Sequence, residues 1–231
     1  MCGISGVVGL KNISELLFEG IRNLEYRGYD SCGVALMNKT HLIIKKDIGG
    51  VEEFYRKHNV LQQKSNIGIA HTRWATHGKV TQDNTHPFTS RDGNFAVVHN
   101  GIISNYRSLR DSLKKEGYKF SSETDTEVIA HLLEKFFKRD QNPEKALVKT
   151  LNLIEGTFAL AFICTYLPDQ IFCAKQESPL MLGIGDEIKF VGSDFNAFID
   201  HTKNAVILDD GEYAIVSVSY THLTLPTNRE V

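Results

Sequence analysis

Short links between consecutive strand-like segments are the feature that most restricts how this chain can fold. In its second half, apolar and β-branched segments cover residues 158–165, 171–175, 180–184, 188–191, 205–208 and 212–216. Tight turns such as Pro168-Asp169 and Gly185-Asp186 join some of them. Antiparallel strands can be joined by a turn, whereas parallel strands need a crossover of about a dozen residues or more. The spacing therefore predicts antiparallel sheets, with one short helix near residues 194–199.

The first part of the chain alternates strand-like and helical patterns. A buried strand is predicted over residues 2–10, followed by an amphipathic helix in which apolar residues recur from Ile13 to Leu24, with Asn12 or Ser14 as the N-cap. Further segments predict a hairpin of strands 34–37 and 42–46, a short helix over 51–58, and strands over 66–70 and 95–99.

Helical patterns are concentrated in the middle of the chain. The first of these helices starts at Asn105 and ends before Gly117, the second is capped within residues 122–125, and the third has Pro143 in its first turn. Strands, then helices, then strands again are typical of an α+β fold in which antiparallel sheets and helices form stacked layers.

The overall charge favours a small-molecule ligand. With a net charge of −2 and a pI near 6.5, the chain offers no basic surface for nucleic acid or for an anionic membrane. Its first residues contain neither a basic segment nor a long apolar run. A signal peptide and a transmembrane helix are therefore not expected, and the predicted location is cytoplasmic.

The cysteines and histidines do not follow the spacing of metal sites. Cys2, Cys32, Cys164 and Cys173 include no CxxC pair, which argues against a zinc ribbon and a disulfide framework. The histidines at 71, 77, 86 and 99 lack HExxH or comparable spacing. We therefore expect no metal and no cofactor.

Cys2 is the residue best placed for nucleophilic catalysis. If Met1 is removed, Cys2 carries a free α-amine next to its own thiol. The amine titrates near pH ~7.7–8.0 and a free thiol near ~8.5, so the neutral amine can take the thiol proton near neutral pH. The alternative is a cysteine that only packs in the core, which is the usual role of an intracellular cysteine.

Three other motifs carry groups that such a nucleophile would need. Asn100-Gly101 offers a side-chain amide and a backbone N–H as oxyanion donors, although the same dipeptide is typical of a hairpin turn, which its spacing favours. Arg73, next to Trp74, suits bidentate recognition of a carboxylate, or alternatively a surface salt bridge. Asp125 can bind an ammonium group or cap a helix.

Several segments together resemble the N-terminal glutaminase domain of glucosamine-6-phosphate synthases, which are class II glutamine amidotransferases. The resemblance covers about residues 1–217 and rests on the segments 1–4, 24–31, 71–78, 97–103 and 122–129. The segment 72–78, Thr-Arg-Trp-Ala-Thr-His-Gly, is similar to these enzymes rather than to amidophosphoribosyltransferases and asparagine synthetases. His86-Pro87-Phe88 departs from the His-Pro-His of many members.

The resemblance implies an N-terminal-nucleophile hydrolase fold, an αββα sandwich of two antiparallel sheets. It implies that Cys2 attacks the side-chain amide of L-glutamine, that Asn100 and Gly101 form the oxyanion hole, and that ammonia leaves. The implied substrate contacts are with Arg73, Asp125, Thr76, His77 and Gly78. Arg27 would support the site and Trp74 would gate the route of ammonia.

The end of the chain departs from this family. Residues 218–231 resemble a translated sequencing adapter and are expected to be non-native, irregular and without function. The sugar-isomerase domains that bind fructose 6-phosphate are expected to be absent, leaving a monomer or weak homodimer. Two alternatives remain: a fragment that binds glutamine without turnover, and the glutaminase domain of another amidotransferase. A redox-sensing thiol at Cys2 is a further possibility, with Cys32 as its resolving partner.

Overall fold

A computed structural model describes residues 2–74 and 79–224 of the chain. Its helices are α1 (Ser14–Arg22), α2 (Val51–Lys57), α3 (Tyr106–Lys115), α4 (Glu127–Asp140) and α5 (Pro143–Leu151). Its strands are β1 (Gly3–Gly9), β2 (Ser31–Asn38), β3 (His41–Ile48), β4 (Ile67–Arg73), β5 (Phe88–Thr89), β6 (Phe95–Ile103), β7 (Gly156–Cys164), β8 (Leu167–Gln176), β9 (Met181–Ile184), β10 (Ile188–Gly192), β11 (Ala205–Ile207), β12 (Tyr213–Val216) and β13 (Thr221–Thr224).

The strands form two antiparallel sheets. The first sheet has the order β11-β9-β10-β1-β4-β2-β3, and the second sheet has the order β13-β12-β8-β7-β6-β5. In the first sheet β1 lies between β4 and β10, with Gly3 opposite Thr72 and Val7 opposite Phe190. The antiparallel sheets predicted from the short connections are confirmed.

The two sheets face each other, and helices cover their outer faces. Ile4 and Ile69 of the first sheet pack against Val98 and Ala161 of the second in a continuous apolar layer. Both faces of β1 are therefore covered, which explains why all seven of its residues are buried. Helices α1 and α2 pack on the outer face of the first sheet, and α3, α4 and α5 pack on that of the second. This arrangement is the expected αββα sandwich.

The sequence predicted the positions of helices and of the hairpin more accurately than the residues at which strands end. The hairpin β2–β3 and the helices α2 and α3 lie where their patterns predicted, and Gly117 has the positive φ of a residue that follows a helix. The predicted hairpin turn at Asn100-Gly101 is wrong, because β6 continues through both residues and pairs with β7 as far as Ile103. Asn100 and Gly101 are therefore held inside a sheet.

Two predicted helix caps are also wrong. The Ser14 hydroxyl donates to the Gln63 carbonyl, and the Asn12 side chain accepts from the Ser65 N–H, so neither side chain caps α1. Both groups instead join α1 to the segment before β4. A side-chain cap does occur at α5, where the Asn142 side chain accepts from the Lys145 N–H.

The expected irregular structure after residue 217 is wrong for residues 221–224. These residues form β13, which pairs with β12 from Tyr213 opposite Thr224 to Val216 opposite Thr221. Without β13, this edge of β12 would present unpaired backbone N–H and C=O groups. The segment Thr221–Thr224 pairs with that edge.

Candidate active site

Cys2 lies immediately before β1, where the chain enters the first sheet. Because β1 and β4 are antiparallel, the start of β1 lies next to the end of β4. The Cys2 Sγ is 3.4 Å from the Trp74 backbone nitrogen and 3.7 Å from the Trp74 carbonyl oxygen. The register of two neighbouring strands therefore places Cys2 beside the Arg73-Trp74 segment, 72 positions away in sequence.

The backbone carbonyl of Cys2 is fixed by two side chains. The Arg27 Nε and the Asn100 Nδ2 each donate to this oxygen at 3.1 Å. Arg27 is almost fully buried in the 3-10 turn Glu25–Arg27, and its guanidinium forms an ion pair with Asp194 at 3.2 Å. These contacts limit the movement of the backbone that carries the thiol.

The thiol opens into a cavity of about 360 Å³. The residues that line this cavity are Cys2, Arg73, Trp74, Asn84, His86, His99, Asn100, Gly101, Ile102, Tyr106, Glu123, Thr124, Asp125 and Thr126. Six of the ten residues predicted as catalytic, substrate-binding or supporting therefore line the cavity: Cys2, Arg73, Trp74, Asn100, Gly101 and Asp125. Arg27 lies behind the thiol instead, and Thr76, His77 and Gly78 lie outside the described residues.

The cavity contains charged groups of both signs. Arg73 ends β4 with its side chain mostly buried, and its Nη1 donates to the Lys79 carbonyl at 3.3 Å. The Asp125 carboxylate accepts a 2.7 Å hydrogen bond from the Ile103 N–H at the end of β6, which orients it. A cavity with one oriented carboxylate and one guanidinium suits a small zwitterion better than an ion of one sign.

Asp125 does not act as the helix cap that the sequence allowed. Thr126 is the residue before α4, and no side chain caps the helix there. The first helical residue, Glu127, accepts instead from the backbone and hydroxyl groups of Ser121 and Ser122, which closes the loop before it. The Asp125 carboxylate is therefore available to the cavity.

Burial controls the ionisation of the cysteines. Burial raises the pKa of the Cys2 thiol, and the Trp74 backbone N–H and the positive charges of Arg73 and Arg27 offset this rise only in part. Burial also raises the pKa of Cys32, and it raises that of Cys164 to about 11 and that of Cys173 to about 12. Cys2 is the cysteine that combines partial exposure with a place in the cavity.

Three buried histidines form a polar cluster at the cavity, and two of them, His86 and His99, line it. The rings of His71 and His86 stack with centroids 3.9 Å apart. The Thr126 Oγ1 lies 3.1 Å from the His86 Nε2 and 2.9 Å from the His99 Nδ1. Among the described residues, no group of three or more His, Cys, Asp or Glu side chains has an arrangement suited to a metal ion.

Several cavity residues were missed by sequence reasoning. Asn84 is buried, donates to the Lys79 carbonyl at 3.1 Å, and accepts from the Glu123 N–H at 2.9 Å. It thereby joins the segment after residue 78 to the loop that carries Asp125. Residues 79–87 have no periodic pattern, so no local signal identified Asn84. Thr126 was visible only as a possible part of a helix start.

The facing antiparallel sheets, their helical layers and a cysteine cavity at the start of β1 define an N-terminal-nucleophile amidotransferase fold. A family described as "Glutamine amidotransferase domain" matches residues 71–200. The chain belongs to this family, in its class II branch. In the described part of the chain, no helix is both long and apolar enough to cross a bilayer.

Two curated relatives are named glutamine–fructose-6-phosphate aminotransferase (isomerizing). The one from Thermococcus kodakarensis is 46% identical over 217 residues, and the one from Aquifex aeolicus is 48% identical over 214 residues. The matches cover 94% and 93% of this chain but only 36% of either relative. The chain thus spans about a third of the length of these relatives.

Solved structures agree on the fold. A glutamine phosphoribosylpyrophosphate amidotransferase from B. subtilis superposes with a TM-score of 0.81 at 24% identity, over 96% of this chain and 49% of that one. A glutamine aminotransferase class-II domain protein from Silicibacter pomeroyi superposes with a TM-score of 0.65 at 16% identity, over 96% and 98% of the two chains. At these identities the likeness concerns the fold alone.

Proposed function

We propose that this chain hydrolyses L-glutamine to glutamate and ammonia, with Cys2 as the nucleophile. The observation that carries the proposal is that the Cys2 thiol lies in one cavity with Asn100 and Gly101, the two proposed oxyanion donors. The same cavity contains Arg73 and Asp125, whose opposite charges match the α-carboxylate and α-ammonium groups of an amino acid.

The first chemical step forms a carbon–sulfur bond. After Met1 is removed, the free α-amine of Cys2 takes the thiol proton and the sulfur attacks the side-chain amide carbon of glutamine. The negative charge that develops on the amide oxygen is stabilised by the Asn100 side-chain N–H and the Gly101 backbone N–H. Removal of one such donor typically costs about 100- to 1000-fold in kcat.

The second step breaks the carbon–nitrogen bond. The α-ammonium of Cys2 returns its proton to the leaving nitrogen, so that ammonia departs and a γ-glutamyl thioester remains on the sulfur. The same amine then takes a proton from a water molecule that attacks the thioester. Collapse of that intermediate releases glutamate and restores the thiol.

Residues around the thiol would orient the substrate. Arg73 would bind its α-carboxylate and Asp125 its α-ammonium, and Thr76, His77 and Gly78 are proposed to complete this pocket. Arg27 would act indirectly, since its Nε holds the Cys2 carbonyl.

The names of the relatives suggest the use of the ammonia. We infer that fructose 6-phosphate is the acceptor, as in the aminotransferases to which the chain is 46–48% identical. Residues that bind this sugar are expected outside the 36% of those relatives that the chain matches, and Trp74 would lie on the route of ammonia toward them.

Intact-mass measurement with a glutamine-like electrophile tests the proposal. The purified chain is incubated with 6-diazo-5-oxo-norleucine, and glutamate release from L-glutamine is assayed in parallel. We expect a processed chain without Met1 that gains one adduct and releases glutamate. A Cys2→Ala variant should do neither, whereas Cys173→Ala should do both because Cys173 is buried between the sheets.

Two results would contradict the proposal. One is glutamate release by Cys2→Ala at the rate of the unaltered chain. The other is a processed chain that glutamine protects against thermal unfolding but that forms no adduct and no glutamate, which would indicate binding without turnover.

A further inference from the structure

The His71 side chain contacts the side chain of Asn100, the proposed oxyanion donor. This residue lies on β4 and is fully buried, with Ile4 and Gly33 opposite it on the two neighbouring strands. Its Nε2 is 3.0 Å from the Asn100 Oδ1 and 3.2 Å from the His99 carbonyl oxygen. The histidine therefore lies directly behind the proposed oxyanion donor.

The backbone contact determines where the His71 proton lies. A carbonyl oxygen such as that of His99 can only accept a hydrogen bond, so the His71 Nε2 that faces it must carry hydrogen. The Asn100 atom that faces the same N–H must then be the amide oxygen and not the amide nitrogen. The donor character of the His71 Nε2–H therefore determines which way the Asn100 amide faces.

This orientation directs the Asn100 Nδ2 to the opposite side. One Nδ2 hydrogen is used by the Cys2 carbonyl at 3.1 Å. The second remains for the cavity that Asn100 lines. If the amide were reversed, its oxygen would face the Cys2 carbonyl and would place an acceptor where the reaction needs a donor.

The surroundings of His71 keep the ring neutral and in place. Its ring stacks on His86, and the His86 Nε2 contacts the Thr126 hydroxyl at 3.1 Å. Burial lowers the pKa of His71 to about 3, although the contact with Asn100 opposes this fall. The charged groups near the cluster include Arg73 and Lys46, which disfavour a further positive charge, and Asp125 beside His99.

We propose that His71 is a positioning residue whose Nε2–H fixes the Asn100 amide with its Nδ2 toward the oxyanion. This inference rests on the proposed function, because it assigns His71 a role in the same reaction. It differs from a purely structural role in one respect. Loss of His71 should affect the transition state more than the binding of glutamine.

Kinetics of two substitutions test the assignment. His71→Leu removes the donor, and we expect kcat to fall at least about tenfold with KM changed less than about threefold, since the oxyanion donor loses its orientation. His71→Gln keeps an amide donor at a similar distance from the backbone and should restore most of kcat. In an Asn100→Ala background, His71→Leu should cause little further loss, because the two residues act as a unit.

A matched control separates positioning from stability. His131 is also buried, and its Nε2 donates to a backbone carbonyl, that of Lys119, at 3.1 Å, but it lies on α4 and does not line the cavity. His131→Leu should lower the melting temperature and leave kcat unchanged. Equal losses of kcat in His71→Leu and His131→Leu would overturn the proposal.

The tautomer of His71 can be tested without any activity. In ¹⁵N-labelled protein, long-range ¹H–¹⁵N correlation spectra should show His71 as the neutral Nε2–H tautomer near pH 7. The Nδ1–H tautomer would overturn the proposal even if the chain were active. If the unaltered chain released no glutamate, the proposed function would fail, and the spectrum would still decide how His71 meets Asn100.

Discussion

The Asn100 side-chain amide donates a 3.1 Å hydrogen bond to the backbone carbonyl of Cys2. Asn100 belongs to β6 of the second sheet, and Cys2 immediately precedes β1 of the first. The bond therefore crosses the interface between the two sheets and fixes the proposed oxyanion donor relative to the proposed nucleophile. Packing of the sandwich, and not a local loop, determines this part of the site.

Replacement of Asn100 by alanine tests this arrangement. We expect kcat for glutamine hydrolysis to fall about 100- to 1000-fold with a small change in KM, because the lost donor acts mainly on the oxyanion. Asn105→Ala is a matched control, since the Asn105 side chain also makes two hydrogen bonds, to the Leu153 carbonyl and the Glu155 N–H, but does not line the cavity. A loss of kcat in Asn105→Ala as large as in Asn100→Ala would contradict the assignment.

The proposed ammonium site makes a prediction about substrate affinity. Asp125→Asn keeps an acceptor for the Ile103 N–H but removes the charge, so KM should rise about 10- to 100-fold, which corresponds to about 1.5–3 kcal/mol for a hydrogen bond to a charged group. Glu123→Gln removes an exposed carboxylate from the same cavity and should change KM much less, because solvent screens that charge. Steady-state kinetics with L-glutamine distinguish the two. An equal rise in KM for both variants would show that only the summed charge matters.

Local sequence patterns were sufficient to predict the antiparallel sheets, but they were not sufficient to predict the structure of the candidate site. The short links between strands predicted antiparallel sheets, and the hairpin β2–β3 required no tertiary information. Whether Asn100-Gly101 forms a turn or continues a strand depends on β7, which begins more than fifty positions later. Pairing with β7 keeps β6 in the sheet through Ile103. Only knowledge of that distant partner could have excluded the turn.

For the same reason, polar contacts between residues far apart in the sequence could not be predicted from local sequence patterns. Asn84 joins the two walls of the cavity through the Lys79 carbonyl and the Glu123 N–H, in a stretch without hydrophobic periodicity. His71 was visible only as one of several histidines, because its role depends on Asn100, which lies on the other sheet. The resemblance to a known family indicated the proposed catalytic residues, and the structure was needed to identify Asn84 and His71, which contact the residues around them.

We predict that position 101 requires glycine for two reasons, one conformational and one steric. Its φ is +122°, and an added Cβ would lie 2.1 Å from the Thr157 carbonyl oxygen on β7. Gly101→Ala should therefore separate β6 from β7 and remove most activity. Gly117 also has a positive φ, +87°, but an added Cβ would meet nothing within 4 Å.

The Gly117→Ala variant isolates the conformational cost. It should lower the free energy of unfolding by about 1 kcal/mol, the usual cost of a side chain at positive φ, and leave kcat unchanged. Chemical denaturation and glutaminase assays on both variants provide the comparison. If Gly101→Ala behaved like Gly117→Ala in both measurements, close packing against Thr157 would not be required at this position.

The raised pKa of the Cys2 thiol predicts the pH dependence of its chemical modification. Because burial stabilises the neutral thiol, the reactive thiolate is scarce at pH 7. Its fraction increases about tenfold for each pH unit below the pKa, so the rate of alkylation by iodoacetamide should still rise between pH 8 and pH 9.

Intact mass should show one adduct, since burial raises the pKa of Cys32, Cys164 and Cys173 further still. The Cys2→Ala variant should remain unmodified. A rate that levels off below pH 8 would mean that the positive charges near the thiol outweigh burial.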